Sequence, residues 1–213
     1  MAKYNSYLSE ESMRALNTTK DVIFHVLPYV KGRVLDLGAG TAKYKEILKK
    51  NSINYIACDT KKDENIDTIC DITNLIFPEE SFDTVVSTQV FEHIDNPFSA
   101  VREIKKVLKP GGNVIITAPF MVPFHPDPKD NFRFSKEGLE EIFRSSGFEI
   151  IDSGTYGGFF MILSEMIHFS WFNPYKRKSG RFMATIEKIA KICDKIFLSK
   201  IIYASAFIVA RKK

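Results

Sequence analysis

The sequence predicts an α/β fold in which helices cover both faces of a doubly wound, mostly parallel sheet. Short apolar runs alternate with helix-like segments along most of the 213 residues. The first run, Arg33 to Leu37, leads directly into a glycine turn at Gly38 to Gly40 and then into a helical pattern from Lys43 to Lys50. A strand, a glycine turn and a helix N-terminus in this order form a nucleotide-type site at the carboxyl end of a sheet.

Further strands and helices are predicted along the rest of the chain. Apolar runs predict strands at 55–58, 66–70, 82–87, 113–118, 148–153 and 204–210. Helical patterns cover 100–108, which the turn formers of Lys109 to Gly112 end, and 136–145, for which Ser135 is the expected N-cap. Together with the first run these make a seven-stranded, Rossmann-like sheet.

Helical segments are added to what we expect to be one domain over 1–213. A short helix beginning near Ser9 and a second from Asp21 to Val30, with Asp21 as its N-cap, form a helical cover over 1–30. We expect this cover either over the glycine turn or along the sheet edge. Between the last two strands, 157–202 forms a helical insertion, in which an apolar, aromatic segment precedes an amphipathic helix. We interpret it as a substrate-facing element.

Residues around the glycine turn indicate which nucleotide the site binds. A dinucleotide fingerprint needs a third glycine where this chain has Lys43. Asp36, two positions before the first glycine, would repel a pyrophosphate but attract an ammonium group. S-adenosylmethionine carries an ammonium and a sulfonium and has no phosphate, so the pattern favours it over a nicotinamide dinucleotide. Gly38 and Gly40 taken alone also fit a plain tight turn.

Several motifs in a fixed order extend this pattern. V-L-D-L-G-A-G-T is followed by an acid at Asp59, by C-D-I at 70–72, by F-D-T-V-V-S-T-Q-V-F-E-H-I and by L-K-P-G-G-N-V-I-I-T-A-P. From about Val22 to Ile151, this set resembles the class I S-adenosylmethionine-dependent methyltransferases, and among them the small type 11 enzymes of bacteria and archaea. The resemblance implies that the last strand is antiparallel to its predecessor. One departure is Ala42, where a third glycine is often found.

The resemblance also implies a cofactor site for S-adenosyl-L-methionine. Asp59 lies about 20 residues beyond the glycine turn, where a carboxylate accepts hydrogen bonds from both ribose hydroxyls. Asp71 would accept from the adenine amine while Ile72 covers the ring, and Gln89 would lie near the sulfonium. The candidate residues, in chain order, are Asp36, Gly38, Ala39, Gly40, Asp59, Thr60, Asp71, Ile72, Thr88 and Gln89.

Two histidines are candidates for the chemistry. His93 follows the fourth strand, and His125 lies in a proline-rich loop over 119–135 that also contains Arg133, an expected salt-bridge residue. An alcohol acceptor must lose a proton before it attacks a methyl group, and an imidazole suits that step. We expect His125 to be the base rather than His93, which is confined next to Glu92. A structural hydrogen bond is the alternative role for each histidine.

Composition and charge limit the partners. The net charge is +4, with basic residues concentrated at 176–181 and at the C-terminus. The apolar part of 157–202 is too short to span a bilayer, and a core role, a homodimer contact and a peripheral membrane contact all stay open. Three cysteines without C-x-x-C spacing argue against a disulfide framework or a zinc site, so no metal is expected and a cytoplasmic location fits. The first residues have no apolar signal core.

The prediction for function is a methyltransferase that uses S-adenosylmethionine and acts at oxygen on a small-molecule, glycan-linked or lipid-linked acceptor. After the fourth strand the chain reads S-T-Q-V, which lacks the tetrad used on nucleobase amino groups and argues against a nucleic-acid substrate. The alternative is a non-catalytic module that binds S-adenosylmethionine, or a partner, through the same fold. Fold alone does not name the acceptor.

Overall fold

The computed structural model describes residues 16–126, 128–172, 180–197 and 201–213, which build a seven-stranded sheet flanked by helices. The strands are β1 (Arg33–Leu37), β2 (Asn54–Asp59), β3 (Thr68–Ile69), β4 (Phe82–Thr88), β5 (Leu108–Pro119), β6 (Phe148–Tyr156) and β7 (Ser205–Lys212). The α-helices are α1 (Thr19–Val26), α2 (Lys45–Leu48), α3 (Pro97–Val107), α4 (Lys136–Ser145), α5 (Phe159–Phe172) and α6 (Arg181–Ile196). The predicted fold class is confirmed.

The order of the strands places a binding site above β1. The sheet runs β3-β2-β1-β4-β5-β7-β6, and β7 is antiparallel to both of its neighbours. The chain winds outward from β1 through β2 to one edge and then returns to β4 on the other side. In open sheets of this kind, ligands bind beyond the carboxyl ends of the strands where the order reverses.

Two apolar layers hold the helices to the sheet. On one face, Val22, Ile23 and Val26 of α1 are fully buried against strand residues that include Val34 and Val209. On the other face, α3 and α4 bury apolar stripes against Leu35, Val85 and Ile116. The described part of the N-terminal segment therefore covers a face of the sheet.

Several element boundaries differ from the predicted ones. Thr18 is the N-cap of α1, and Asp21, the predicted cap, is the N3 partner in a capping box. The helix after the glycine turn is only one turn long, at Lys45–Leu48. Residues Lys109 to Gly112, predicted as a turn that ends a helix, belong to β5, which begins at Leu108. Leu108 pairs with Phe82 of β4, and the register between the two strands shifts after this pair. The predicted helix near Ser9 lies outside the described residues.

The structure corrects the expectation about cysteines. Cys58 at the end of β2 and Cys70 just after β3 are bonded as a disulfide, with their Cα atoms 5.8 Å apart. Cys193 is free. A pair 12 residues apart carries no spacing motif, so only the parallel pairing of Cys58 with Thr68 and of Asp59 with Ile69 brings the two side chains together.

The insertion over 157–202 contains α5 and α6, which pack against each other. The Asp194 carboxylate of α6 is buried and accepts hydrogen bonds from the Phe160 and Met161 amides at 2.9 and 3.0 Å, which caps the N-terminus of α5. The predicted apolar face of α6 is only partly buried, because Ile189 and Ile196 stay exposed. None of the described helices combines the length and apolarity that crossing a bilayer requires.

Candidate active site

The glycine turn after β1 has an unusual backbone that brings it close to the ends of β2 and β4. Gly38, Gly40 and Ala42 have φ values of +67°, +57° and +52°. A Cβ on Gly38 would lie 2.4 Å from a methyl group of Val90, so only glycine fits there. Ala42, at the position of the missing third glycine, takes the same left-handed conformation at a small energetic cost.

Two aspartates border the turn at the carboxyl edge of the sheet. The Asp59 carboxylate accepts from the Gly40 amide at 2.8 Å and from the Lys61 amide at 3.0 Å, so it connects the end of β2 to the glycine turn. The Asp71 carboxylate accepts from the Thr73 amide at 2.8 Å. Both carboxylates are held by main-chain donors and retain lone pairs for the hydroxyls or amine of a ligand.

A cavity of about 670 Å³ lies over these residues. Seven of the candidate cofactor residues line it, namely Gly38, Gly40, Asp59, Thr60, Asp71, Ile72 and Gln89. Asp36, Ala39 and Thr88 do not. The lining also contains residues that sequence reasoning missed, among them Leu37, Thr73, Val90, Asp95, Asn96, Ser99 and Pro128. Most of these residues follow β4. Sequence reasoning assigned Gln89 to the cofactor site but did not assign the connection after it.

Asp36 lies beneath the glycine turn, where its carboxyl group is buried. The Tyr55 hydroxyl donates to it at 2.6 Å. Burial raises the pKa of Asp36 to about 7, the hydrogen bond from Tyr55 lowers it, and the nearby Asp59 raises it slightly. A carboxyl group that titrates near neutrality beside a ligand site responds readily to a bound cation.

Gln89 is fixed at the end of β4. Its φ is +55°, and its amide nitrogen Nε2 donates to the hydroxyls of Tyr156 at 2.8 Å and Thr117 at 3.1 Å. Tyr156 is buried, which raises its pKa to about 12, so it stays a neutral hydroxyl. This network holds Gln89 at the cavity wall with a strained backbone, a combination that is common at functional positions.

Glu92, His93 and His125 form a cluster beside the cavity, which we call the Glu–His cluster. Glu92 Oε1 lies 3.6 Å from His93 Nε2 and 3.8 Å from His125 Nε2. The two imidazole rings meet edge to face, with centroids 5.4 Å apart. The Glu92 carboxylate raises the pKa of His125, which burial alone would lower. Sequence reasoning named both histidines but did not predict that they share one carboxylate, and it mentioned Glu92 only as the neighbour that confines His93.

The proline-rich loop that carries His125 is held by an ion pair. Arg133 makes a bidentate contact with Asp130, with Nη2 at 2.7 Å from Oδ2, and also donates to the carbonyls of Val122 and Pro123. The arginine lowers the pKa of Asp130 to about 2. Arg133 therefore has the structural role that was expected for it, and Asp127 of the same loop lies outside the described residues.

Helix α5 of the insertion closes the other side of the Glu–His cluster. The ring of Phe169 lies 6.3 Å from the ring of His125. Glu165, one helical turn earlier, is buried enough that its pKa rises to about 7, and the positive charge of His125 opposes that shift. The insertion thus contributes directly to the surroundings of the cluster. From the sequence it was interpreted only as a substrate-facing element.

The sheet order, the glycine turn and the acidic residues around the cavity are similar to those of class I S-adenosylmethionine-dependent methyltransferase domains. Residues 35–116 match the family model for the type 11 methyltransferase domain. This segment holds β1 to most of β5 and therefore the whole candidate cofactor site.

Several known proteins with similar sequences are named as methyltransferases. The chain is 34% identical over 104 residues to a demethylmenaquinone methyltransferase of Paenarthrobacter aurescens, covering 44% of this chain and 41% of that protein. It is 32% identical over 75 residues to a mitochondrial ubiquinone biosynthesis O-methyltransferase of Dictyostelium discoideum, covering 35% and 20%. The chain thus spans less than half the length of these curated relatives.

A solved structure supports the fold over almost the entire chain. A phosphoethanolamine N-methyltransferase of Haemonchus contortus, solved in complex with S-adenosyl-L-methionine, aligns with 98% of this chain and 56% of its own. The TM-score is 0.59 and the sequence identity 17%, so the likeness concerns the fold. The relatives therefore support a methyltransferase domain that uses S-adenosylmethionine, and they differ in the acceptor.

Proposed function

We propose that this chain transfers the methyl group of S-adenosylmethionine to an oxygen of a small-molecule acceptor. One observation carries the proposal: His93 lines the cavity that the cofactor residues form, and it belongs to the Glu–His cluster. A donor bound by Asp59 and Asp71 would direct its reactive end toward Gln89 and this cluster. Of the two relatives described above, one is named as an O-methyltransferase, which supports oxygen as the acceptor atom.

Within the cofactor site, each end of S-adenosylmethionine has a proposed partner. Asp59 and Thr60 take the ribose hydroxyls, and Asp71 with Ile72 takes the adenine. The buried Asp36 balances the ammonium through the glycine turn, with Ala39 and Thr88 in supporting positions. The sulfonium then lies near Gln89, whose side chain is fixed by hydrogen bonds. Such fixed positions favour an in-line displacement, in which geometry supplies much of the rate.

Beyond the methyl group, the acceptor would lie between the proline-rich loop and α5. The Phe169 ring lies beside the His125 ring, with centroids 6.3 Å apart, and Phe159, Leu163 and Met166 of α5 are exposed. An apolar wall suits an acceptor with an apolar body, including a lipid-linked or glycan-linked one, and it also suits peripheral contact with a membrane through 157–202. Homodimer formation through the same surface stays a prediction.

The acceptor hydroxyl would be activated by the Glu–His cluster. A hydroxyl is a weak nucleophile until its proton leaves, and in this proposal the cluster lowers the cost of that loss. The expectation that His125 itself is the base stays a prediction. Whatever the means of activation, removing His125 should lower kcat by about 10²–10⁴-fold and leave the affinity for S-adenosylmethionine unchanged.

The test is a methyl-transfer screen with S-adenosylmethionine labelled in its methyl group. Quinols, catechols, sugar nucleotides and cell-envelope extracts are supplied as acceptors, and labelled products are separated and identified. We expect turnover with a hydroxyl acceptor, its loss in His125→Ala, and wild-type turnover in His25→Ala, because His25 pairs with Asp152 far from the cavity. Methylation of nitrogen alone would overturn the assignment to oxygen.

The alternative from another class is a module that binds S-adenosylmethionine without turnover. It has no observation of its own in its favour, because the cavity continues past the cofactor residues to the Glu–His cluster. Cofactor binding by calorimetry, combined with no transfer to any acceptor, would favour this module. A nucleic-acid acceptor is tested in the same screen with tRNA.

A further inference from the structure

The two imidazoles of the Glu–His cluster are oriented in the same way. His125 Nδ1 lies 2.9 Å from the carbonyl oxygen of Pro123, and His93 Nδ1 contacts the carbonyl oxygen of Lys129. A carbonyl only accepts, so each Nδ1 carries the proton. Each Nε2 then presents a lone pair toward the carboxylate of Glu92. Histidine ligands of metals have this arrangement, with one nitrogen donating to a carbonyl and the other left for the ion.

Glu92 itself is in an environment that requires a cation. Its side chain is 0% exposed, and neither carboxylate oxygen has a hydrogen-bond partner among the described residues. Burial of an uncompensated carboxylate costs several kcal/mol. Two neutral imidazoles would add lone-pair repulsion, whereas a protonated His125 would offset the charge of the carboxylate. A positive charge between the three groups removes both penalties.

The spacing of the three groups fits an ion better than it fits direct hydrogen bonds. The distances of 3.6 and 3.8 Å from Glu92 Oε1 to the two Nε2 atoms exceed those of normal hydrogen bonds. Zinc binds histidine and carboxylate at about 2.0–2.1 Å in a tetrahedron, which places ligand atoms about 3.3 Å apart. The ligand atoms of Glu92, His93 and His125 all lie within 4.8 Å of one another, so small side-chain shifts close the site.

We propose that Glu92, His93 and His125 bind a divalent transition-metal ion, with zinc as the ion that this donor set fits best. Three protein ligands leave a fourth position open, as in catalytic zinc sites. The position faces the cavity, because His93 is part of its wall. Glu165, one helical turn before Phe169 on α5, is a further buried acid on the helix that packs beside His125.

The role of the ion rests on the proposed function. An acceptor hydroxyl in the open position would be acidified by the metal and release its proton to water. The acceptor oxygen would then form a bond to the methyl carbon while the carbon–sulfur bond breaks and its electron pair stays on sulfur. The products are the methyl ether, neutral S-adenosylhomocysteine and one proton. The ligand class is therefore an acceptor with a metal-binding hydroxyl, such as a phenol or catechol.

The binding test uses the full chain with no acceptor present. The protein is treated with a chelator, dialysed, titrated with zinc against a chromophoric indicator and analysed for metal content. We expect one zinc per chain in the wild type and in His25→Ala, a control histidine 2.9 Å from the Asp152 carboxylate with no third ligand among the described residues. His125→Ala and Glu92→Gln should bind at least about tenfold more weakly, a loss that even indirect changes at metal sites produce. Cobalt should give a visible absorption band that these variants lack.

The outcomes separate the metal site from the proposed function. Zinc binding equal in wild type and His125→Ala, or no binding in any variant, overturns the site whether or not methyl transfer is found. Unchanged affinity for S-adenosylmethionine shows that each variant is folded. When an acceptor is known, chelation should abolish turnover and zinc should restore it. Turnover that survives chelation but is lost in His125→Ala overturns the metal role and supports a base.

Discussion

The affinity for S-adenosylmethionine should depend on pH through Asp36. Burial raises the pKa of this carboxyl from 3.8 to about 7, so the empty protein holds it largely protonated at pH 6. If the cofactor's ammonium needs the ionised form, the apparent Kd equals the intrinsic Kd divided by the ionised fraction. That fraction falls from about nine-tenths at pH 8 to about one-tenth at pH 6, so the Kd should rise about tenfold, or about 1.4 kcal/mol.

The raised pKa of Asp36 also makes the stability of the folded protein depend on pH. Because the folded pKa lies above the unfolded value, the folded state binds the additional proton between pH 3.8 and about 7. Stability from this group is therefore lost as the pH rises through that range. A bound cation reverses the preference, so cofactor binding should release a proton near pH 6.

Calorimetry from pH 5.5 to 8 tests the reasoning with two variants. Asp36→Asn keeps the shape of the side chain and should flatten the pH dependence. Tyr55→Phe removes the hydrogen bond that lowers the pKa of Asp36, so the rise in Kd should begin at higher pH. A wild-type Kd that does not change with pH, or an equal slope in Asp36→Asn, would refute the assignment of Asp36 to the ammonium.

Three further outcomes are expected. Asp59→Ala should weaken cofactor binding by about 1.5–3 kcal/mol. Asp59→Asn keeps an acceptor for the Gly40 amide and should lose less binding free energy; wild-type affinity in this variant would contradict the ribose contact. Asp194→Ala should lower turnover, and it should lower the free energy of unfolding by about 1–2 kcal/mol, as the loss of other helix caps does. A parallel loss of cofactor affinity would contradict a separate acceptor role for the insertion. Replacing Cys58 and Cys70 by Ser should lower the free energy of unfolding by about 3 kcal/mol without reductant, and denaturation midpoints equal to wild type would argue against the disulfide.

The parts of the fold that were predicted well have local signals. Helix α4 begins and ends where its pattern placed it, because Ser135 caps one end and Gly147 ends the other. Helix α1 shows the limit of such signals, since Thr18 and Asp21 are both good capping residues and only the backbone decides between them. The start of β5 was missed because pairing with Phe82 keeps Lys109 to Gly112 in the sheet, and that pairing is not local.

The candidate site also contains parts with local sequence signals and parts that depend on non-local contacts. The candidate cofactor residues follow strand ends in a known order, and seven of the ten line the cavity; their role in binding stays a prediction. The burial of Glu92 depends on the proline-rich loop folding over it, with the Asn131 and Phe132 amides donating to the Glu92 carbonyl at 2.7 and 3.2 Å. No spacing rule connects residue 92 to residue 125. The Glu–His cluster was therefore not predicted as a unit, even though each of its histidines was named.

The buried acids near this edge of the sheet favour ligands that bring positive charge. Asp36 lies just before the glycine turn, Glu92 contacts the cavity residue His93, and Glu165 lies on α5; each of these buried carboxyl groups carries a cost of burial in the empty protein. A ligand that supplies positive charge recovers that cost as binding free energy. The cofactor brings an ammonium toward one end and a sulfonium toward the other, and a metal ion would neutralise the Glu–His cluster. After methyl transfer the sulfonium charge is gone while the acids remain, so S-adenosylhomocysteine loses an attraction that its precursor had. The same charge arrangement that binds the donor thus favours release of the product.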